Sequence, residues 1–222
     1  MSVMTGFVII MAEQIGLMWK KVHAVPFGIY GATRVGKTTL NHQLRTRGEV
    51  PKIKQRTVGR GRATRKTIKI DGDQHTIKNA DIGGETVYWG EWLKDMKNRK
   101  VKYIIFMIDD RHMDKHYDIE QQLCWTFLVD TICSRYWDNI NRRQKKKNHD
   151  YPVAVGLWAN KFDLWKDTYE YDDIQNHPIF DAFKDGMQKL NDKGIPCYKY
   201  IVSAKSDSEM VYRGIATMIE DY

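Results

Sequence analysis

The chain is 222 residues long and 42% of them are hydrophobic, which suits one domain with a full core, or one domain plus a short appendage. Three scattered cysteines, Cys124, Cys133 and Cys197, exclude a disulfide framework and a zinc-finger spacing, and set a reducing, cytoplasmic environment as the expectation. The formal net charge of +8 suits either anionic partners or solubility alone, and no internal repeat or low-complexity stretch points to a solenoid or a tail.

Residues 2–19 are mostly apolar and are followed by Lys20 and Lys21. Met4, Phe7, Val8, Met11, Ile15 and Met18 recur at spacings of three and four, which predicts an amphipathic helix. Glu13, Gln14 and two glycines interrupt it as a membrane span, and its length is short for crossing a bilayer. No basic region precedes the apolar run, so a secretory signal is not expected. Three placements suit this helix: packed on its own domain, lying in a membrane interface, or anchored across a membrane. The division expected is an extension over 1–24 and a single domain over 25–222.

Pro26-Phe27-Gly28-Ile29-Tyr30 reads as a short buried strand. It runs into Gly31-Ala32-Thr33-Arg34-Val35-Gly36-Lys37-Thr38-Thr39, which satisfies the phosphate-loop pattern G-x-x-x-x-G-K-[ST]. The two glycines allow a tight turn that points successive N–H groups into one concavity. The helix opening at Thr39-Leu40 aims its positive end at the same anion. Lys37 is the residue to reach the outer phosphates, and the Thr38 hydroxyl is placed to bind Mg²⁺.

From Arg45 to Lys69 the chain carries ten Lys or Arg side chains against the single Glu49. Thr57-Val58-Gly59 lies within this run. Thr67–Ile70, the Asp71-Gly72 turn and His75–Ala80 predict a hairpin, and the second strand leads to Asp81-Ile82-Gly83-Gly84-Glu85. A carboxylate at a strand end can hold Mg²⁺ through water, and a glycine N–H beside it can meet a terminal phosphate. Trp89–Met96 reads as a helix, Val101–Ile108 as a strand buried on both faces, and Asp118 to about Arg142 as one long helix. Arg142–Lys147 reads as a basic loop, solvated or meeting an anionic partner.

Val153–Trp158 is another buried strand, and it ends in Ala159-Asn160-Lys161-Phe162-Asp163. Asp163 can accept from the N1–H and 2-amino groups of guanine, which adenine cannot supply; Asn160 can brace the loop and touch the base, and the Lys161 stem can lie over the ring. A helix over 174–190, a last strand Cys197–Val202 ending in Ser203-Ala204-Lys205, and a helix Ser208–Ile219 complete the chain. The Ala204 N–H is a candidate for the guanine O6. No C-terminal cysteine box is present and residue 2 is Ser, so neither prenylation nor N-myristoylation is signalled.

Alternating strands and helices predict an α/β fold, a mostly parallel six-stranded sheet between helices, with the site at the strand C-termini. In order and spacing, Gly31–Thr38, Thr57, Asp81–Gly84, Asn160–Asp163 and Ser203–Lys205 resemble the five signature motifs of the small, Ras-like GTPases over roughly 26–222. Thr57-Val58-Gly59 and Asp81–Gly84 are most similar to the ADP-ribosylation-factor branch, as is an amphipathic helix ahead of the domain. The resemblance implies a P-loop G domain with GTP or GDP and Mg²⁺ as ligands. It implies Thr38, Thr57 and Asp81 around the metal, switch segments that change shape with the nucleotide, and effector, exchange and activating proteins as partners.

Three positions depart from the pattern. After Gly84 the family has a glutamine that orients the attacking water; here Glu85 stands there, adding like charge near a γ-phosphate or, with a raised pKa, acting as a base. Thr33 and Arg34 occupy phosphate-loop positions that are often small, and Arg34 either stabilises transition-state charge in cis or points into solvent. The set expected to carry the reaction is therefore Lys37, Thr57, Gly84, Glu85 and Arg34, with slow hydrolysis as the expected rate. The basic run around Thr57 suits an acidic protein, an anionic lipid surface or nucleic acid, and residues 1–21 suit a peripheral membrane contact. The rival readings are a GTP-holding recruitment platform that barely hydrolyses, a P-loop ATPase or kinase, and a nucleic-acid-binding protein.

Overall fold

The computed structural model describes residues 25–46, 57, 59–61, 63–70, 73–114, 119–144, 151–168, 173 and 176–220. The amphipathic stretch 2–19, Lys52 and Lys54, Arg56, Arg62, the 71–72 turn and Lys145–Lys147 lie outside these residues. Six strands form one sheet: β1 Val25–Gly31, β2 Thr64–Ile70, β3 Asp73–Asn79, β4 Tyr103–Ile108, β5 Ala154–Ala159 and β6 Cys197–Ile201. Their spatial order is β2-β3-β1-β4-β5-β6. Every neighbouring pair is parallel except β2 with β3, whose antiparallel register runs from Thr64↔Asn79 to Ile70↔Asp73. Six strands, mostly parallel, is the sheet the sequence predicts.

Helices α1 Lys37–Thr46, α2 Trp89–Arg99, α3 Glu120–Cys133, α4 Arg135–Gln144, the single turn α5 Phe162–Trp165, α6 Lys184–Asp192 and α7 Ser208–Glu220 cover the sheet. Register shows how they divide. Tyr30, Phe106 and Leu157 lie in one row across β1, β4 and β5, so they share a face. Tyr30 packs on Trp92 of α2 and Phe106 on Trp125 of α3, putting both helices on that side. Trp158, one residue on, points the other way, against Gly214 of α7. The Tyr212 hydroxyl of α7 donates to the Gln43 carbonyl of α1 at 3.0 Å, joining α1 to the second layer. All residues of β4 and β5 are buried, as central parallel strands between helices must be.

Three expectations need correction. The long helix over 118–142 is two helices, broken at Ser134, which has extended backbone angles (φ −76°, ψ 152°). Its Oγ accepts from the Trp137 N–H at 3.2 Å, capping α4, and donates to the Thr131 carbonyl at 2.6 Å; a serine offers the backbone that alternative to continuing a helix. Arg142 and Arg143 belong to the last turn of α4 and not to a loop, where their charge complements the helix dipole. The helix expected over 174–190 is a 3₁₀ segment, Pro178–Phe183, followed by α6; Pro178 has no N–H to donate, and the His177 ring caps the segment by accepting from the Ile179 N–H at 3.0 Å. No helix among the described residues is long and apolar enough to cross a membrane.

Candidate nucleotide site

Parallel register brings the chemistry to one edge. Gly31, Met107, Trp158 and Tyr200 form a single row across β1, β4, β5 and β6, so the loops after all four strands leave from the same end of the sheet. The first is the phosphate-loop sequence. Gly36 takes a φ of 99°, and a Cβ there would lie 2.2 Å from Asn160 Nδ2, so only glycine fits. Arg34 also has positive φ, 66°, and its side chain is exposed. Helix α1 starts directly after the loop, with the Leu40 N–H bonded to the Gly36 carbonyl at 2.9 Å.

Lys37 is buried, and its ammonium spans the loop, donating to the carbonyls of Gly31 at 2.9 Å and Ala32 at 2.7 Å. Burial lowers its pKa to about 8, against the opposing pull of Asp81. An ammonium held by two carbonyls in a buried cradle is a charge prepared for an anion. Gly84 closes on the same loop: a Cβ on it would stand 2.4 Å from the Ala32 carbonyl carbon and 2.6 Å from the Gly31 oxygen. Glu85 follows, half-buried, its carbonyl accepting from the Tyr88 N–H at 2.8 Å. Trp92 Nε1 donates to the Gly83 carbonyl at 3.0 Å, holding this segment to α2.

Thr38, Thr57 and Asp81 meet. The two threonine hydroxyls lie 2.9 Å apart, and each lies 2.9 Å from Asp81 Oδ2. Three oxygens converging beside a buried ammonium are a hard-donor set of the kind Mg²⁺ takes together with phosphate oxygens and water. The residues present therefore fit that ion.

Asn160 binds the base-side loops together. Its Nδ2 donates to the Val35 carbonyl at 2.8 Å and its Oδ1 accepts from the Ala204 N–H at 2.9 Å. That N–H, expected to face a guanine O6, is here given to Asn160. Trp165 Nε1 donates to the Asn160 carbonyl at 2.8 Å. Lys161 has positive φ, 65°, and its ammonium pairs with Asp109. Asp163 is exposed, with its N–H donating to Ser203 Oγ at 2.9 Å. Lys205 is exposed and Thr39 half-buried in the first turn of α1.

Several site residues escaped the sequence reading. Asp109, one residue past β4 and fully buried, accepts from Arg111 Nε at 2.9 Å and Gln121 Nε2 at 2.7 Å as well as from Lys161. Burial alone would push its carboxyl up; Lys161 and Arg111 outweigh this and hold it below the usual carboxylate range. Arg111 Nη2 also donates to the Thr33 carbonyl at 2.8 Å, while the Thr33 hydroxyl and N–H donate to Glu120 Oε1 at 2.9 and 3.3 Å. The signal was available: a carboxylate ends a buried parallel strand next to the phosphate-loop strand, the same cue that singled out Asp81.

No family model matches this chain, and no curated protein matches it by sequence. Its similarity to solved structures includes the Arl6 BBS3 small GTPase from Trypanosoma brucei with bound nucleotide analogue GppNp. The TM-score is 0.60 over 90% of this chain and 97% of that one, at 16% identity. The chain has the fold of a small, Arf-like GTPase.

Proposed function

We propose that this chain is a guanine-nucleotide switch: it binds GTP or GDP with Mg²⁺, hydrolyses GTP slowly, and presents the Thr57 and Asp81–Glu85 segments to partners in a nucleotide-dependent way. The observation that carries this reading is the convergence of Thr38, Thr57 and Asp81 at 2.9 Å beside the Lys37 cradle. In this reading the loop N–H groups and Lys37 bind the phosphates. Thr38 and Thr57 would hold the cation directly and Asp81 through water, where Mg²⁺ would supply charge neutralisation for the phosphates. The Asp163 carboxylate accepts from the guanine edge, and Asn160 keeps that loop fixed to the phosphate loop.

Slow hydrolysis follows from Glu85, which places a carboxylate where a neutral amide would orient water. Arg34, exposed with left-handed backbone, is the cation to be tested for charge stabilisation in cis. Effectors, exchange factors and activating proteins are the partners expected of such a switch, with an anionic partner at the basic run around Thr57. A cytoplasmic setting with membrane contact through residues 1–21 belongs to the same proposal.

The test is chromatographic identification of nucleotide on protein loaded with Mg²⁺-GTP and followed over hours. Slow appearance of GDP, accelerated in Glu85→Gln and slowed in Arg34→Ala, is the expected result. Turnover on the order of 1 s⁻¹ without a partner contradicts the slow rate, and failure to retain any guanine nucleotide contradicts the whole reading. The Thr57 cluster together with Glu85 also suits a platform that stays in the GTP state; GTP bound and unchanged after hours selects it.

A further inference from the structure

We propose that Asn41 is the positioning residue that orients Asp81 toward the cation, with Asn79 fixing Asn41 in turn. The proposal rests on the nucleotide-switch reading and deepens it. Asn41 lies on α1 three residues after Thr38, and so on the same face of the helix. It is buried at 5% exposure, flanked in sequence by Leu40 and followed by Leu44, both fully buried. An apolar residue would fill that position, and burying an amide there is costly unless it is bonded.

Its bonds have one consistent direction. Asp81, as a carboxylate, only accepts, so Asn41 presents its amino group, Nδ2 to Asp81 Oδ1 at 3.2 Å. The Asn41 oxygen is then left as an acceptor, and the Nδ2 of Asn79 donates to it. Asn79 is the last residue of β3 and is 1% exposed. The order of amide oxygen and nitrogen along the relay is therefore set by the one member that cannot donate.

The result is a carboxylate with its two oxygens distinguished. Oδ2 receives both threonine hydroxyls, and Oδ1 receives the amide. The hydroxyls belong to the same side chains that would hold the cation. Among the described residues, the amide is thus the hydrogen bond to the Asp81 carboxylate that comes from outside the cation-binding set. Groups that orient a metal's direct ligands commonly account for about 10–100-fold in affinity when removed; Asp81 reaches the cation through water, so Asn41, one step further out, is assigned the lower end of that range.

The test follows release of fluorescent N-methylanthraniloyl-GDP from the full chain, from excess chelator up to saturating Mg²⁺. Wild-type release slows as Mg²⁺ rises, with a defined half-effect concentration. Asn41→Ala is expected to raise that concentration about tenfold while its release rate in chelator stays at the wild-type value. Asn79→Ala, which loosens Asn41 without touching Asp81, shifts it in the same direction by less, and it decides the matter if Asn41→Ala does not fold. A half-effect concentration within twofold of wild type in both variants overturns the proposal. So does an equal acceleration with and without Mg²⁺, the mark of a merely structural role. If wild-type release does not depend on Mg²⁺ at all, the switch reading falls and this proposal with it; Mg²⁺ dependence with unshifted variants sinks the positioning role alone.

Discussion

Two fully buried carboxylates, Asp95 and Asp109, each gather two cations; one cation of Asp95 is sealed and the other, Arg60, keeps 31% of its side-chain surface, whereas neither cation of Asp109 is sealed. Asp95 of α2 accepts from the Tyr30 hydroxyl at 2.8 Å, from Arg60 Nη2 at 2.7 Å and from Arg99 Nε at 2.7 Å. Arg99 is itself sealed, its side chain 5% exposed, and donates onward to the Lys78 and Phe27 carbonyls. This cluster stitches α2 to β1 and β3 near the beginning of β1, away from the strand ends that carry the phosphate loop. Asp109 sits at those ends, and its cations, Arg111 and Lys161, keep 32% and 30% of their side-chain surface. In the nucleotide-switch reading, the same chemistry is a rivet in one place and a support for a ligand site in the other, according to position along the parallel strands.

The sharpest way to break the comparison is Asp95→Ala. It leaves two guanidinium groups, one of them sealed, without their anion, and removing one partner of a buried pair typically costs about 3–5 kcal/mol. Denaturant unfolding reads the loss. Burial, then the nearby Asp95 charge, hold the Tyr30 phenol far above its ordinary range, so near-ultraviolet absorbance should show tyrosine ionising earlier in the variant. An unchanged unfolding midpoint contradicts the rivet.

Asp163→Ala should do the opposite. The side chain is exposed, so stability stays within about 0.5 kcal/mol of wild type. Competition between GTP and ATP should nevertheless lose a preference of about 100-fold, roughly 2.7 kcal/mol. Guanine selectivity surviving in this variant sinks the role given to Asp163. Asp109→Asn falls between the two. It keeps the shape but removes the charge facing Lys161 and Arg111, and charge-assisted bonds contribute about 1.5–3 kcal/mol. Roughly thirtyfold weaker GDP binding is expected, read by fluorescence titration alongside a thermal melt. A melt that drops while affinity holds places Asp109 with Asp95 as a rivet.

The sheet was legible because β4 and β5 are uninterrupted apolar runs, which only a central parallel strand accommodates, and because the phosphate-loop glycines have no other reason to be spaced as they are. The helix break at Ser134 was hidden because the apolar pattern continues through it; a single hydroxyl cap outweighed the periodicity. Asp109 carries the strand-end cue that singles out Asp81 but no glycines after it, and its role as a charge partner appears only when Lys161, 52 positions later, folds back on it. Asn41 was invisible for the same reason: its meaning depends on residues 38 and 40 positions away, brought together by the pairing of β1 with β3.

The smallest effect tests the ligand side of the comparison through a proton. Lys37 has a pKa lowered from 10.5 to about 8, chiefly by burial. Between about pH 8 and 10.5 the unfolded chain keeps this proton and the folded chain has lost it, so the ligand-free protein gains stability from Lys37 as pH rises through that window. Binding runs the other way. A phosphate needs the ammonium, so the bound state holds the proton and the free state gives it up above pH 8. Affinity for GDP should be flat below that pH and fall above it, by at most about tenfold per pH unit. Titration between pH 7 and 9, with the thermal melt of the free protein measured at each point, should show stability and affinity moving in opposite directions. If both fall together, the alkaline loss is unfolding and not the titration of Lys37. If both stay level, the ammonium is not the group that meets the phosphate.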